Sequence, residues 1–177
     1  LSVTALYLPM ESVLFPKYFA DRDEPAQLGW VLMALSIGGL VGALSWTVLS
    51  TFASRRGTVL TAVLTFGIAS VVISLLPPLP LILALAALVG LVYGPIGPIY
   101  NSVMQTRAPA HLRGRVVGVM TSMAYAAGPV GFMLAGPLVD NFGLQAAFLG
   151  LALPIVAIGL LCPWIPALRE LDRKPST

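Results

Sequence analysis

The chain has 177 residues, 58% of them hydrophobic and 10% charged, with a mean hydropathy of +0.92. Soluble domains carry about 25% charged residues, so this composition excludes an ordinary water-exposed globule. The net charge of +3 and pI near 9.4 do not indicate nucleic acid, because the basic residues sit in short gaps between apolar runs, without aromatic interleaving or a binding motif.

A hydrocarbon core roughly 30 Å thick is crossed by about 20 apolar residues in a helix. Six runs of this kind occupy residues 1–20, 28–50, 58–76, 81–105, 116–138 and 145–164. Lipid supplies no water to satisfy loose backbone groups, so such runs persist only as helices or as strands of a closed barrel. None of them alternates polar and apolar residues as a barrel strand does. The expected fold is therefore all-α: a polytopic membrane bundle of six helices over residues 1–166, followed by a tail at 167–177.

The first run opens at Leu1 with no Met and no preceding flank, from which the chain is expected to be a fragment of a longer protein. It is not a secretory signal, since Pro9, Glu11 and Pro16 interrupt the apolar stretch and no basic segment precedes it. Glu11 is the ionisable side chain set well inside a run. At 1.5 Å per residue it lies roughly 12 Å from an interface near Phe19, where a carboxylate costs about 2.5 kcal/mol or more unless it faces water or a partner. Thr4, Tyr7 and Glu11 share one helical face at i, i+3 and i+7, and that face is expected to look into a cavity. Burial raises a carboxyl's affinity for its proton, so Glu11 is a candidate for proton coupling or solute contact. The plainer reading is that it lines a wet vestibule or bonds a neighbouring helix.

The second run carries Trp30 near one interface and Gly38 and Gly42 at helix-packing spacing; Arg55 and Arg56 follow it. After the third run comes the turn Pro77-Pro78-Leu79-Pro80. The fourth run repeats the glycine spacing at Gly90 and Gly94, and Pro95 and Pro98 are expected to kink it. Tyr93, Gly97, Tyr100 or Asn101, and Gln105 recur at helical spacing as a polar stripe. It suits either an amphipathic solute or hydrogen bonding between helices. Arg107, His111, Arg113 and Arg115 lead into the fifth run, where Ser122 and Tyr125 are further polar candidates. Ala127, Gly131 and Ala135 form another small-residue row there, with Pro129 beside it. Cys162 is the single cysteine and lies in the sixth run, so no disulfide framework is available.

Arg55, Arg56, Arg107, Arg113, Arg115, Arg169, Arg173 and Lys174 fall on one side of this alternation, and Lys17 and Arg22 on the other. The positive-inside bias then places both chain ends in the cytoplasm, with the protein in the cell membrane. An enzyme within the membrane would need converging ionisable groups, and one Glu in the runs with one His in a loop does not supply them. No Gly-x-x-x-x-Gly-Lys-Ser/Thr is present to hold a nucleotide. No cofactor and no metal is expected.

Arg113-Gly114-Arg115-Val116, followed by Gly128-Pro129, Gly131, Gly136 and the Asp140-Asn-Phe-Gly143 turn, resembles the C-terminal half of major facilitator superfamily transporters. Within that family the likeness is to the drug and siderophore exporters, including macrolide and tetracycline pumps. The segment from Ser50 to Gly57 keeps the arginines and glycine of the family's loop motif but lacks its acidic residue. The resemblance implies helices seven to twelve of a twelve-helix protein, whose N-terminal six-helix half would be a partner. It also implies alternating access about a central site, driven by protons. On this reading a small amphipathic solute binds between Glu11, with Tyr7 beside it, and the Tyr93, Tyr100 and Asn101 stripe, while Arg113 and Arg115 belong to a cytoplasmic gate. Headgroup anchoring is an equal reading for the two arginines. An uptake permease of the same fold, or a passive channel or scaffold subunit, stands as the alternative function.

Overall fold

The computed structural model describes residues 2–50, 54–107 and 111–164, and every regular element among them is helical. The tail at 167–177, with Arg169, Arg173 and Lys174, lies outside the described residues, as do the side chains of Thr4, Gln105, Arg107 and Ala127.

The first segment is α1 (Ser2–Pro9), a π-helical turn (Met10–Leu14) and α2 (Phe15–Ala20) in succession. Two prolines flank the wide turn and explain it. Pro9 has no N–H to close the turn before it, so the ladder enters Met10 already loosened. Pro16 has none to offer the Ser12 carbonyl and its ring crowds that carbonyl, so the ladder relaxes there as well. The Phe15 N–H reaches back to the Met10 carbonyl instead, five residues away. At the far end of α2, Lys17 pairs with Asp21 at 3.7 Å, and the Arg22 guanidinium lies 4.3 Å from the centre of the Tyr18 ring. Helix α3 (Pro25–Leu49) begins with proline in its first turn, where the missing N–H is not needed. Helix α4 (Arg55–Ser74) starts three residues before the expected run because Ser54 caps it, its hydroxyl accepting from the Gly57 N–H at 2.9 Å.

The fourth run is two helices, α5 (Leu79–Tyr93) and α6 (Ile96–Arg107). The Gly94 N–H closes the last turn of α5 on the Gly90 carbonyl, Pro95 has no N–H to continue it, and the ladder resumes with the Ile99 N–H on the Pro95 carbonyl at 3.0 Å. Helix α7 (Arg113–Leu161) holds the fifth and sixth runs, interrupted at Gly143. There φ is +81° and ψ is 168°, a conformation that glycine adopts without strain. The two limbs fold back on each other: Gly150 packs beside the Leu138 side chain, whereas a straight helix would hold these residues about 18 Å apart. A short 3₁₀ turn (Cys162–Trp164) follows.

Glycines govern which helices meet. A Cβ on Gly38 would collide with the Ala87 carbonyl, on Gly42 with the Leu91 carbonyl, on Gly90 with the Leu35 carbonyl, and on Gly94 with the Gly39 carbonyl. The paired glycines of α3 therefore lie directly against those of α5, backbone to backbone, as small-xxx-small pairs do where lipid removes the hydrophobic drive for association. Gly67 of α4 packs on Val156, and Gly159 packs on Leu64, which joins α4 to the second limb of α7. The core between them is built by Leu14, Phe19, Phe66, Phe148, Leu151 and Ile155, with Phe15 edge-on to Phe148 at 5.4 Å between ring centres.

Among the described residues, four helical stretches are long and apolar enough to cross a membrane: Pro25–Leu49, Arg55–Ser74, Leu79–Met104 and Gly131–Leu161. The π turn divides the first run into pieces too short to meet that length. Leu40, Leu44 and Val48 form an exposed apolar stripe along α3. The hydroxyls of that helix are satisfied within it: Ser36 donates to the Leu32 carbonyl at 2.8 Å and Ser45 to the Val41 carbonyl at 2.7 Å. Such internal bonding lets a polar side chain face acyl chains without an unmet hydrogen bond.

Candidate functional site

Two adjoining cavities lie where α1, α3, α4 and α5 approach one another. The larger, about 420 Å³, is lined by Tyr7 and Leu8 of α1, Leu35 and Gly39 of α3, Phe66 of α4, Val89, Gly90 and Tyr93 of α5, Gly94 and Tyr125 of α7. Its walls are aromatic and aliphatic, and its side-chain polarity comes from three phenol hydroxyls. That volume falls in the range of about 300–1,000 Å³ that accepts a drug-sized molecule. Gly39, Gly90 and Gly94 contribute backbone to the lining, so the seam that seats α3 on α5 also forms part of the cavity wall.

The smaller cavity, about 50 Å³, shares Tyr7, Leu35, Phe66 and Val89 with the larger. Glu11 and Ser70 line it, among Met10, Phe15, Val31 and other apolar side chains. Glu11 is half-buried, and its carboxylate interacts with the Tyr7 hydroxyl one turn away. The Ser70 hydroxyl donates to the Phe66 carbonyl at 2.8 Å. The π turn re-aims the side chains from Met10 onward relative to an unbroken helix, so Tyr7 reaches both cavities while Glu11 lines only the smaller.

Of the residues singled out in the sequence, Tyr7, Glu11, Tyr93 and Tyr125 are brought together at these two cavities. Tyr100 and Asn101 are not among them: they follow the Gly94–Pro95 break, line neither cavity, and Tyr100 donates to the Met120 sulfur at 3.4 Å. Arg113 and Arg115 stand exposed in the first turn of α7. Arg55 donates through Nη2 to the Ser102 hydroxyl at 3.1 Å, tying α4 to α6. The sequence reading missed Phe66, whose ring meets Tyr7 edge-on at 5.3 Å between centres and 75° between planes. One signal for it was present, since Phe66 is the lone aromatic residue of α4. Among the described residues, no group of three or more His, Cys, Asp or Glu side chains is gathered to hold a metal ion.

Residues 7–177 match the sequence model of the Major Facilitator Superfamily. The multidrug efflux pump Tap of Mycolicibacterium fortuitum is 67% identical over 172 residues, which is 97% of this chain and 42% of that protein. The pump of the same name from Mycobacterium tuberculosis (strain ATCC 25618 / H37Rv) is 69% identical over 176 residues, 99% of this chain and 42% of its own length. The macrolide efflux protein A of Streptococcus pyogenes is 24% identical over 173 residues, again 42% of its length. The chain thus spans about two fifths of the length of these curated relatives. No solved structure is significantly similar to it.

Proposed function

Because the chain belongs to the major facilitator superfamily, we propose that it supplies one half of a transporter that exports small amphipathic solutes against a gradient. The relatives named for multidrug and macrolide efflux support export, and the share of their length that the chain covers supports a second half as its partner. The observation that carries the reading is the phenol-lined cavity of about 420 Å³ beside the half-buried carboxylate of Glu11. Aromatic and aliphatic walls bind bulky solutes through area, and the hydroxyls of Tyr7, Tyr93 and Tyr125 orient them without a fixed charge.

Export by alternating access needs a group whose protonation differs between the two states. Glu11 fills that role, since taking a proton removes a charge that is expensive at its depth and so favours one arrangement of the halves over the other. Arg113 and Arg115 lie on the side that the distribution of basic residues assigns to the cytoplasm. There they contribute to closing the bundle, with both chain ends in the same compartment.

The test is Glu11→Gln in the full-length protein, assayed for solute export from vesicles with an imposed proton gradient. Gradient-driven export is lost while equilibrium binding of the solute is kept. Unchanged uphill export by the variant would remove Glu11 from coupling.

A further inference from the structure

The two cavities share a wall of four side chains, Tyr7, Leu35, Phe66 and Val89, and two of these are rings in contact. Tyr7 and Phe66 each line both spaces, and they meet edge-on, 5.3 Å between centres, in the arrangement that aromatic quadrupoles favour. Glu11 lies on one side only and Tyr93 on the other, while Tyr7 lines both spaces and its hydroxyl interacts with Glu11. We propose that the Tyr7–Phe66 pair is a partition that keeps a bound solute away from the Glu11 carboxylate, leaving the Tyr7 hydroxyl as the contact between the two compartments.

Volume supports the division. A space of about 50 Å³ admits water, which needs only about 10–15 Å³ by the same kind of measure, and does not admit a drug-sized molecule. The larger space does. Solute and proton therefore occupy neighbouring rooms, and each senses the other through the ring and hydroxyl of Tyr7. Phe66 is buried in the core at 8% exposure and has no polar group, so its part is to position Tyr7 and close the wall. A direct ion pair between a solute and Glu11 is not required on this arrangement, and solutes of different charge fit the same cavity.

The part this partition plays in transport rests on the export reading above, whereas the partition itself is tested without transport. The experiment uses the full-length protein in liposomes and a bulky water-soluble carbodiimide with a glycine-ester nucleophile, with modification of Glu11 followed by mass spectrometry and exposed Asp140 as internal reference. Glu11 of the parent protein reacts slowly. Phe66→Ala removes the edge-to-face contact and speeds the reaction about fivefold, the change expected from losing one such ring pair. Phe66→Tyr, which keeps the ring, reacts at the parent rate. Phe66→Leu fills the volume without a ring edge and gives the faster rate if alanine unfolds the bundle. A parent Glu11 that reacts as fast as in denatured protein, or a Phe66→Leu protein that reacts no faster than the parent, overturns the proposal. Loss of uphill export in Glu11→Gln reports on the export reading alone, so the two fail separately.

Discussion

Tyr93 and Arg55 show how differently single residues act in this bundle. Tyr93 presents its ring and hydroxyl to the large cavity and touches no other described ring, so its loss should be felt by the solute more than by the fold. Tyr93→Ala is expected to raise the KM of export about threefold to tenfold with little change in kcat, and Tyr93→Phe to recover most of the loss, as an aromatic contact of this kind predicts. Initial rates over a range of solute concentrations check this. Arg55 holds α4 to α6 through Ser102. Arg55→Ala should destabilise the detergent-solubilised protein by about 1 kcal/mol, and the double variant with Ser102→Ala should cost less than the sum of the two singles. Thermal unfolding of the four proteins measures it. At this scale Glu11 was legible in the sequence, because a carboxylate in an apolar run is costly enough to demand a reason. Its separation from Tyr93 by a wall was not legible. It depends on how Pro9 and Pro16 together widen one turn, and on a ring from a helix distant in sequence.

Between helices, carbonyl collisions decide what is tolerated. A Cβ at Gly42 of α3 would run into the Leu91 backbone, while one at Gly29 of the same helix meets nothing within 4 Å. Gly42→Ala is expected to cost about 1–3 kcal/mol through forced separation of α3 from α5. Gly29→Ala is expected to be neutral or to stabilise by about 1 kcal/mol through helix propensity. Thermal aggregation in a fixed detergent compares them. Gly143→Ala isolates backbone strain, since its Cβ would also meet nothing within 4 Å, and the positive φ alone should cost about 1–3 kcal/mol. The glycine spacings on α3 and α5 marked packing surfaces in the sequence, and the Asp140–Gly143 turn marked the end of the fifth run. Which surface met which was beyond sequence pattern, because a small-residue row specifies close approach without naming its partner. The break at Gly94–Pro95 was foreshadowed by the proline. Its consequence, moving Tyr100 and Asn101 off the cavity, follows only once the chain resumes as α6.

For the assembled protein, energy source and pathway separate the remaining readings. In vesicles carrying the full-length protein, collapsing the proton gradient is expected to abolish uphill export while leaving exchange down a solute gradient measurable. A passive channel would show no uphill component at all. The paired contacts within this half also set a timetable. Helix α3 finds its glycine seam on α5, not on α4 which follows it, and α4 finds its own on the closing limb of α7. As the chain leaves the ribosome, each of these helices must wait in the lipid for a partner that has not yet been made. Stopping synthesis before residue 144 would leave α4 stranded there, with the small face at Gly67 open to whatever else the membrane holds.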